Sequence, residues 1–186
     1  MTTWQPLHES LAVTEAPGRA SERPTDATLD AFERALGFEL PESYREFVKL
    51  FGPGELAETV RIYAPVGAKR PGDLDAFVRG FRKGAAFLGE AYGDRALVTR
   101  AVPFANTVFG DVIAWDPGAP AGGGRREYPV VFLPDDKSKI VALAPDFRAF
   151  IVDRCLSAQF GKYIGEPNYA PARTFVAFGA LTPAPR

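Results

Sequence analysis

The sequence predicts an α+β fold in which an antiparallel β-meander sheet packs against an N-terminal helical hairpin, a central helix and a C-terminal helix. Three observations lead to this fold class. Two adjacent apolar stripes at helical spacing lie near the start of the 186-residue chain. Four short β-prone runs follow in the second half and are separated by turn-rich connections. A last apolar stripe at helical spacing follows those runs.

The helical hairpin over residues 25–54 is the sharpest local pattern. Thr25 or Asp26 can cap a first helix, and Gly37 supplies the left-handed residue that ends it. A second helix starts at Pro41, because proline loses nothing at a first helical position. The apolar stripes of the two helices consist of Leu29, Phe32 and Leu36, and of Tyr44, Phe47, Val48 and Phe51.

A strand and a weakened helix are predicted between the hairpin and the second half. Residues 59–63 alternate with period two, which favours a strand, and residues 66–72 form a loop. Apolar residues then recur at helical spacing over residues 74–88. Gly80 and Gly84 each weaken that helix by about 1 kcal/mol relative to alanine, so we expect it to be bent or broken.

The second half is predicted to be rich in strands. Its β-prone runs are Ala96–Phe104, Asp111–Asp116, Tyr128–Leu133 and Lys139–Leu143. Hairpin-like connections between them favour an antiparallel meander. Residues 130–133 are apolar on both faces, which predicts a central strand. A last helix begins near Asp146, and Thr174–Phe178 form either an edge strand or an apolar strap.

The pattern divides the chain into three parts. Residues 1–24 are predicted to be a mobile arm that touches the domain through Trp4 and Leu11, residues 25–160 the domain, and residues 161–186 a tail strapped to it. No apolar run approaches the ~18 residues of a membrane span, and the start lacks a secretory signal. We therefore expect a cytoplasmic protein with no membrane partner.

Composition removes several classes of function. The formal net charge of −1 is unlike the basic surface of a typical nucleic-acid binder, so no nucleic-acid partner is expected. One cysteine, Cys155, and one histidine, His8, exclude a disulfide framework and a Cys/His zinc cluster. Cys155 also falls on the apolar stripe of the last helix. We predict no catalytic residue, no metal and no cofactor.

Two weaker chemical alternatives stay open. Four carboxylates, those of Asp111, Asp116, Asp135 and Asp136, are candidates for a Mg²⁺-dependent hydrolase. Aspartate is also a preferred turn residue, which explains the same positions without chemistry. Residues 122–126 read Gly-Gly-Gly-Arg-Arg, but a strand follows them where a phosphate loop requires a helix.

Charge is distributed unevenly along the chain. Residues 22–58 contain nine acids and four bases, whereas residues 69–100 contain seven bases and four acids. An acidic hairpin beside a basic central segment makes a dipolar molecule. Such a surface accelerates association with a partner of complementary charge.

Three signatures in order resemble the SUKH superfamily, the group of Smi/Knr-type domains. Residues 29–48 read Leu-Asp-Ala-Phe-Glu-Arg-Ala-Leu-Gly-Phe-Glu-Leu-Pro-Glu-Ser-Tyr-Arg-Glu-Phe-Val, which is similar to its opening signature. Val102–Asn106, leading to Gly110–Ile113, looks like the second. The closing strands and helix correspond to residues 128–132, 140–142 and 146–151. The resemblance covers roughly residues 25–156, with an insertion-like stretch at 64–97.

The resemblance implies an α+β domain without catalysis. Bacterial members commonly neutralise a cognate polymorphic toxin, a nuclease or deaminase encoded by a neighbouring gene, by binding it. The alternative is a regulatory scaffold of the Smi/Knr kind without a toxin. The signature residues Leu40-Pro41 and Gly110-Asp111 then have structural roles. We expect the partner-binding surface to include the acids Asp30, Glu33, Glu42, Glu46, Glu55, Glu58, Asp111 and Asp116.

Overall fold

An eight-stranded sheet organises the computed structural model, which describes residues 3–15, 23–67, 70–118 and 126–180. The spatial order of the strands is β1-β8-β2-β3-β4-β5-β6-β7, and only the β1–β8 pair is parallel. The predicted α+β fold with an antiparallel meander is confirmed. The candidate phosphate loop at residues 122–125 lies outside the described residues. The strands are β1 (Ala12–Thr14), β2 (Gly54–Leu56), β3 (Val60–Ile62), β4 (Val102–Thr107), β5 (Val112–Trp115), β6 (Val130–Leu133), β7 (Val141–Ala144) and β8 (Thr174–Ala177).

Helices cover both faces of this sheet. The last main helix begins with the α-helical turn Phe147–Ala149 (α6), and it continues directly as a π-helical segment over Phe150–Cys155. Short 3₁₀ turns lie at Ala158–Phe160 and Phe178–Ala180. The α-helices are α1 (Gln5–Ser10), α2 (Asp26–Leu36), α3 (Glu42–Phe51), α4 (Leu74–Tyr92), α5 (Arg95–Arg100), α6 (Phe147–Ala149) and α7 (Gly161–Ile164).

The predicted hairpin is confirmed in α2 and α3. The Thr25 side chain accepts a hydrogen bond from the Thr28 amide, and Gly37 ends α2 with φ of 67°. The Glu33 carboxylate accepts from the Leu40 amide at 2.8 Å. Glu33 also pairs with Arg45 of α3 at 2.9 Å. One acidic side chain therefore joins the first helix, the corner and the second helix.

Alternation along β5 and β6 separates two apolar layers. Their core-facing residues, Ile113, Trp115, Val130 and Phe132, pack in the large core with α2, α3 and α6. Their other residues pack against Phe81 of α4 and Val98 of α5. Successive strand side chains point to opposite faces, so a strand covered on both sides must be apolar throughout. Residues 130–133 lie inside the sheet, between β5 and β7, as predicted. Helices cover both faces of this strand, whereas helices on one side were expected.

Interlocking aromatic rings form the centre of the large core. Trp115 is fully buried and stacks on Phe104 with ring centroids 4.3 Å apart. Tyr44 of α3 meets Trp115 edge-on at 4.8 Å and Phe147 of α6 at 5.3 Å. The Tyr44 hydroxyl donates to the Tyr63 carbonyl at 2.6 Å. These contacts fix the orientation of α3 and α6 relative to the sheet.

Two local predictions are wrong, and tertiary packing explains both. Residues 96–100 form helix α5, because Asp94 caps the Leu97 amide and Val98 is buried against the sheet. Helix α4 runs without a break through Gly80 and Gly84. The close return of α5 depends on Gly89, where an added Cβ would lie 2.8 Å from the Arg95 Cα.

Both ends of the described chain join the sheet. Thr174–Ala177 forms strand β8 between β1 and β2, so the edge-strand and strap interpretations of this segment are wrong. The edge position belongs to β1. Trp4 and Leu11 are buried, and the Trp4 indole donates to the Ser43 carbonyl at 2.8 Å. The mobility of the arm and the domain boundaries stay predictions.

Trp4 provides a direct test of how firmly the N-terminal segment is bound. We expect Trp4→Ala to lower the free energy of unfolding by about 3–5 kcal/mol, because a fully buried ring leaves a cavity. Trp4→Phe keeps most of the packing and loses the indole hydrogen bond, so it should cost about 1–2 kcal/mol. Urea unfolding measures both. Wild-type stability in Trp4→Ala would show that residues 3–15 are a loose arm.

Candidate functional site

Four of the predicted partner-binding acids form ion pairs within the domain: Asp116, described below, and three acids that join neighbouring elements. Asp30 and Glu33 on α2 both contact the Arg45 guanidinium of α3, at 2.7 and 2.9 Å. Glu55 on β2 pairs with Arg61, its register partner on β3, at 3.0 Å. These carboxylates join neighbouring elements, and their charge is largely balanced by a local cation.

Asp111 and Asp116 are buried and satisfied at opposite ends of β5. Asp111 accepts from the Thr107 hydroxyl at 2.6 Å and from the Asp135 amide at 3.0 Å. Asp116 accepts two hydrogen bonds from Arg100, at 2.6 and 2.9 Å. The Arg100 hydrogen bond, opposed by burial and aided by the Gly118 amide, lowers the pKa of Asp116.

This placement brings Asp111, Asp135 and Asp136 to one end of the sheet, where Asp111 and Asp136 line the same concavity, but it separates Asp116 from them. Asp111 and Asp116 flank a four-residue strand, so they lie roughly 15 Å apart. Asp136 caps the Ser138 amide at 2.8 Å. Within residues 3–15, 23–67, 70–118 and 126–180, no group of three or more acidic, histidine or cysteine side chains is arranged to hold a metal ion.

The remaining predicted acids are turned to solvent. Glu58 is exposed at the β2–β3 turn, and Glu42 and Glu46 lie one turn apart on α3. Glu42 and Glu46 line a cleft of about 200 Å³ with Glu127 and Asp146. We call this the acidic cleft; its other lining residues are Thr3, Ser43 and Arg148. Four carboxylates face one guanidinium there.

Glu127 was missed at the sequence level, and its position follows from the start of α3. Pro41 precedes the helix and makes no side-chain cap. Glu127 supplies the cap from 84 residues away, accepting from the Ser43 amide at 2.9 Å and the Ser43 hydroxyl at 2.8 Å. Burial raises the pKa of Glu127, although the Ser43 hydrogen bonds oppose this. Because Pro41 has no side chain that can cap the helix, the sequence indicates that another residue must accept the first amide hydrogen bonds of α3. It does not indicate which residue does so.

The opposite wall of the acidic cleft is the start of α6. Asp146 caps that helix by accepting from the Ala149 amide at 2.7 Å. The Arg148 guanidinium lies 5.4 Å from the centroid of the Trp4 ring. Helix α3, the segment before β6, α6 and the N-terminal segment therefore meet at one acidic concavity. Its chemistry suits a lysine or arginine side chain of a partner.

Cys155 and His8, the only cysteine and histidine of the chain, are not placed as a nucleophile and its base. Cys155 is fully buried in the π-helical segment, and burial raises its pKa. His8 packs on Phe51 with ring centroids 5.1 Å apart. Neither residue lines the acidic cleft, whose polar side-chain groups are four carboxylates, the hydroxyls of Thr3 and Ser43, and one guanidinium.

The two charged regions lie on opposite faces of the sheet. The acidic hairpin α2–α3 packs on the large core, whereas α4 from Phe81 onward packs with α5 on the other layer. Arg82, Lys83 and Arg95 on that second face are exposed. The uneven distribution of charge along the sequence therefore places the acidic hairpin and the basic segment on opposite sides of the sheet. In the described part of the chain, no helix is long and apolar enough to cross a membrane.

The structure is an α+β domain in which the side chains of Glu33 and Asp111 stabilise the helical hairpin and the turn after β4. The model of the SMI1 / KNR4 family (SUKH-1) matches residues 23–153, well over half of the chain. The chain belongs to this family, and the predicted resemblance is confirmed. No curated protein matches it.

The residues that carry the family resemblance have structural positions. Leu40 is fully buried at the hairpin corner, and Glu33 holds its amide. Tyr44 joins α3 to the end of β3 through its hydroxyl. Asp111 closes the turn after β4 through Thr107. These contacts explain why the signature identifies the fold and leaves the binding surface unspecified.

Asp116 predicts a specific dependence of stability on pH. Its folded pKa lies below the ordinary value of 3.8. The carboxylate therefore contributes stability above the unfolded pKa, and this contribution is lost as pH falls through the folded pKa. We expect Asp116→Asn to lower the free energy of unfolding at pH 7 and to differ less from wild type at pH 3.

Urea titrations at the two pH values measure this difference. Asp153→Asn, which removes an exposed carboxylate, is the matched control and should leave the free energy of unfolding nearly unchanged. A deficit of Asp116→Asn that is the same at pH 7 and pH 3 would show that the Arg100 pair does not act through ionisation.

Proposed function

We propose that this chain is a non-catalytic protein-binding module of the immunity type. It neutralises a bacterial polymorphic toxin, a nuclease or deaminase encoded by a neighbouring gene, by direct binding in the cytoplasm. Membership of the SMI1 / KNR4 family supports a Smi/Knr-type module. The acidic cleft is the single observation that supports a basic surface on the partner.

The acidic cleft suits this role because its charge is not balanced from within. Glu42 and Glu46 make no ion pair within the described residues, in contrast to Asp30 and Glu33. Glu127 is partly buried and already bound to Ser43, so it is held in place before a partner arrives. A fixed carboxylate group accelerates encounter with cationic side chains and requires little ordering upon binding.

Enzymes that degrade or modify nucleic acids need a cationic surface for the phosphate backbone. A rigid acidic concavity is complementary to such a surface and can occlude the path of the substrate. We propose that Glu42, Glu46 and Glu127 contact the partner, while the paired acids Asp30, Glu33, Glu55, Asp111 and Asp116 support the surface from within the domain.

Charge reversal in the cleft tests this proposal. Glu42→Lys with Glu46→Lys should slow association with the product of the neighbouring reading frame by about 10-fold or more at low salt. The same variant should flatten the dependence of the association rate on ionic strength. Stopped-flow or surface-based kinetics over a series of salt concentrations measures both effects.

Glu90→Lys with Glu166→Lys is the matched control, since it changes the net charge equally at exposed positions outside the cleft. Growth of cells that express the neighbouring frame alone and together with the chain provides the functional readout. Rescue by wild type and by the control, but not by the cleft variant, supports the proposal. If wild type rescues nothing and the frame is not toxic, the regulatory scaffold is the better description.

A further inference from the structure

The three hairpin turns of the meander meet at one end of the sheet. Strands β2 to β7 run antiparallel, so the turns β2–β3, β4–β5 and β6–β7 all lie on the same side. Hydrogen bonds join them directly. The Val108 amide donates to the Thr59 carbonyl at 2.9 Å, and the Asp135 amide donates to the Asp111 carboxylate at 3.0 Å. The turns therefore form one continuous surface.

Two neighbouring apolar side chains project from this surface. Val108 is 38% exposed and Phe109 is 49% exposed, at positions where turns ordinarily carry small or polar residues. Nothing in the fold requires them there, since the turn is held by other groups. Phe87, Val141 and Val152 are also exposed, but none of them is next to another in the sequence. Adjacent exposed apolar residues are the better candidates for a contact with another protein.

The turn that presents Phe109 is unusually well ordered for a loop. The Thr107 hydroxyl donates to Asp111 and accepts from the amides of Phe109 and Asp111. The Gly110 amide closes the turn on the Thr107 carbonyl at 3.1 Å. An anchor held in place before binding loses little conformational entropy when it is buried.

The neighbouring β2–β3 turn is strained. Ala57 and Glu58 both have positive φ, 55° and 57°. Residues with a Cβ disfavour this conformation, and turns in which both central residues have positive φ favour Asn-Gly. Ala57 is buried, whereas Glu58 is exposed beside the Val108 turn. A charged residue retained at a strained position is expected where its side chain has a function.

Acidic side chains surround the apolar pair. Glu58 lies on one side and Asp135 and Asp136 on the other, all exposed. The carboxyl carbon of Asp135 lies 3.2 Å from the position that a Cβ on Gly110 would occupy, so the two residues are in close contact. Lys137 is directed to Asp135 and to the Tyr92 ring. The surface is therefore an apolar centre whose rim carries the carboxylates of Glu58, Asp135 and Asp136, which we call the acidic rim. Lys137 balances Asp135, and Lys139 of the same turn is also exposed, so the excess of negative charge there is small. An apolar centre with a polar and charged border is the usual anatomy of a protein interface.

We propose that these three turns form a second contact surface for the protein partner, with Phe109 and Val108 as its anchors. The inference rests on the proposed protein-binding function and adds to it the chemistry of the partner. The complementary surface is an apolar pocket bordered by lysine or arginine. A second copy of this chain does not fit, because its acidic rim would face an identical rim.

Selection of short random-sequence peptides, displayed on phage, against the full chain tests the surface without knowledge of the natural partner. We expect enriched peptides to combine an aromatic or aliphatic centre with flanking Lys or Arg. Phe109→Ser should weaken their binding by about 30-fold, the usual effect of truncating an anchor. Isothermal calorimetry with synthesised peptides gives the dissociation constants.

Phe87→Ser is the matched control, since Phe87 is 69% exposed on α4 and lies outside the three turns. It should leave peptide binding unchanged, and both variants should keep Tm within about 2 °C. Absence of enriched peptides, or binding that survives Phe109→Ser, overturns the inference. Rescue of growth by wild type is scored separately, so a failure of this surface is distinguishable from a failure of the proposed function.

Substitutions of Glu58 separate strain from charge. Glu58→Gly should raise Tm by about 2 °C, because glycine adopts positive φ without steric cost. The same substitution removes a charge, so it should weaken the affinity for the selected peptides by about 5-fold. Glu58→Gln keeps the strain and removes the charge, so it should weaken the peptides similarly without raising Tm. Unchanged peptide affinity in both variants would remove Glu58 from the surface.

Discussion

The packing of Tyr44 is the interaction on which the rest of the structure depends. Its ring lies edge-on to Trp115 of the sheet and Phe147 of α6, and its hydroxyl donates to the Tyr63 carbonyl at the end of β3. Burial raises the pKa of this hydroxyl well above its usual value, so it acts as a permanent donor. Orientation of α3 against the sheet then brings Ser43 to Glu127 and so assembles the acidic cleft.

Acidic residues in this chain divide into two groups by the presence of a local cation. Arg45 and Arg100 neutralise Asp30, Glu33 and Asp116 inside the domain. Among the described residues, Glu42 and Glu46 of the acidic cleft and Glu58 of the β2–β3 turn have no such cation. Local acidic surfaces can therefore coexist with a net charge of only −1.

Local signals succeeded where the chain decides its own conformation. Thr25 and Gly37 delimit α2 through hydrogen bonds and a positive φ that depend on adjacent residues only. Residues 96–100 look β-prone yet form α5, because the Asp94 cap and burial of Val98 outweigh an intrinsic preference worth a few tenths of a kcal/mol per residue. Strand β2 and the partners of β8 had no local signal, since three- or four-residue strands exist only through their neighbours.

The sequence by itself determined the fold class, the family, the hairpin and the structural nature of its signature, because these depend on periodicity, caps and turn residues that are local along the chain. Only the tertiary structure decided which acids remain free for a partner. Glu127 meets Ser43 across 84 residues, and Phe109 lies between acids of two other turns, Glu58 and Asp135–Asp136. Such pairings depend on chain reversal and strand register, for which no local spacing carries information.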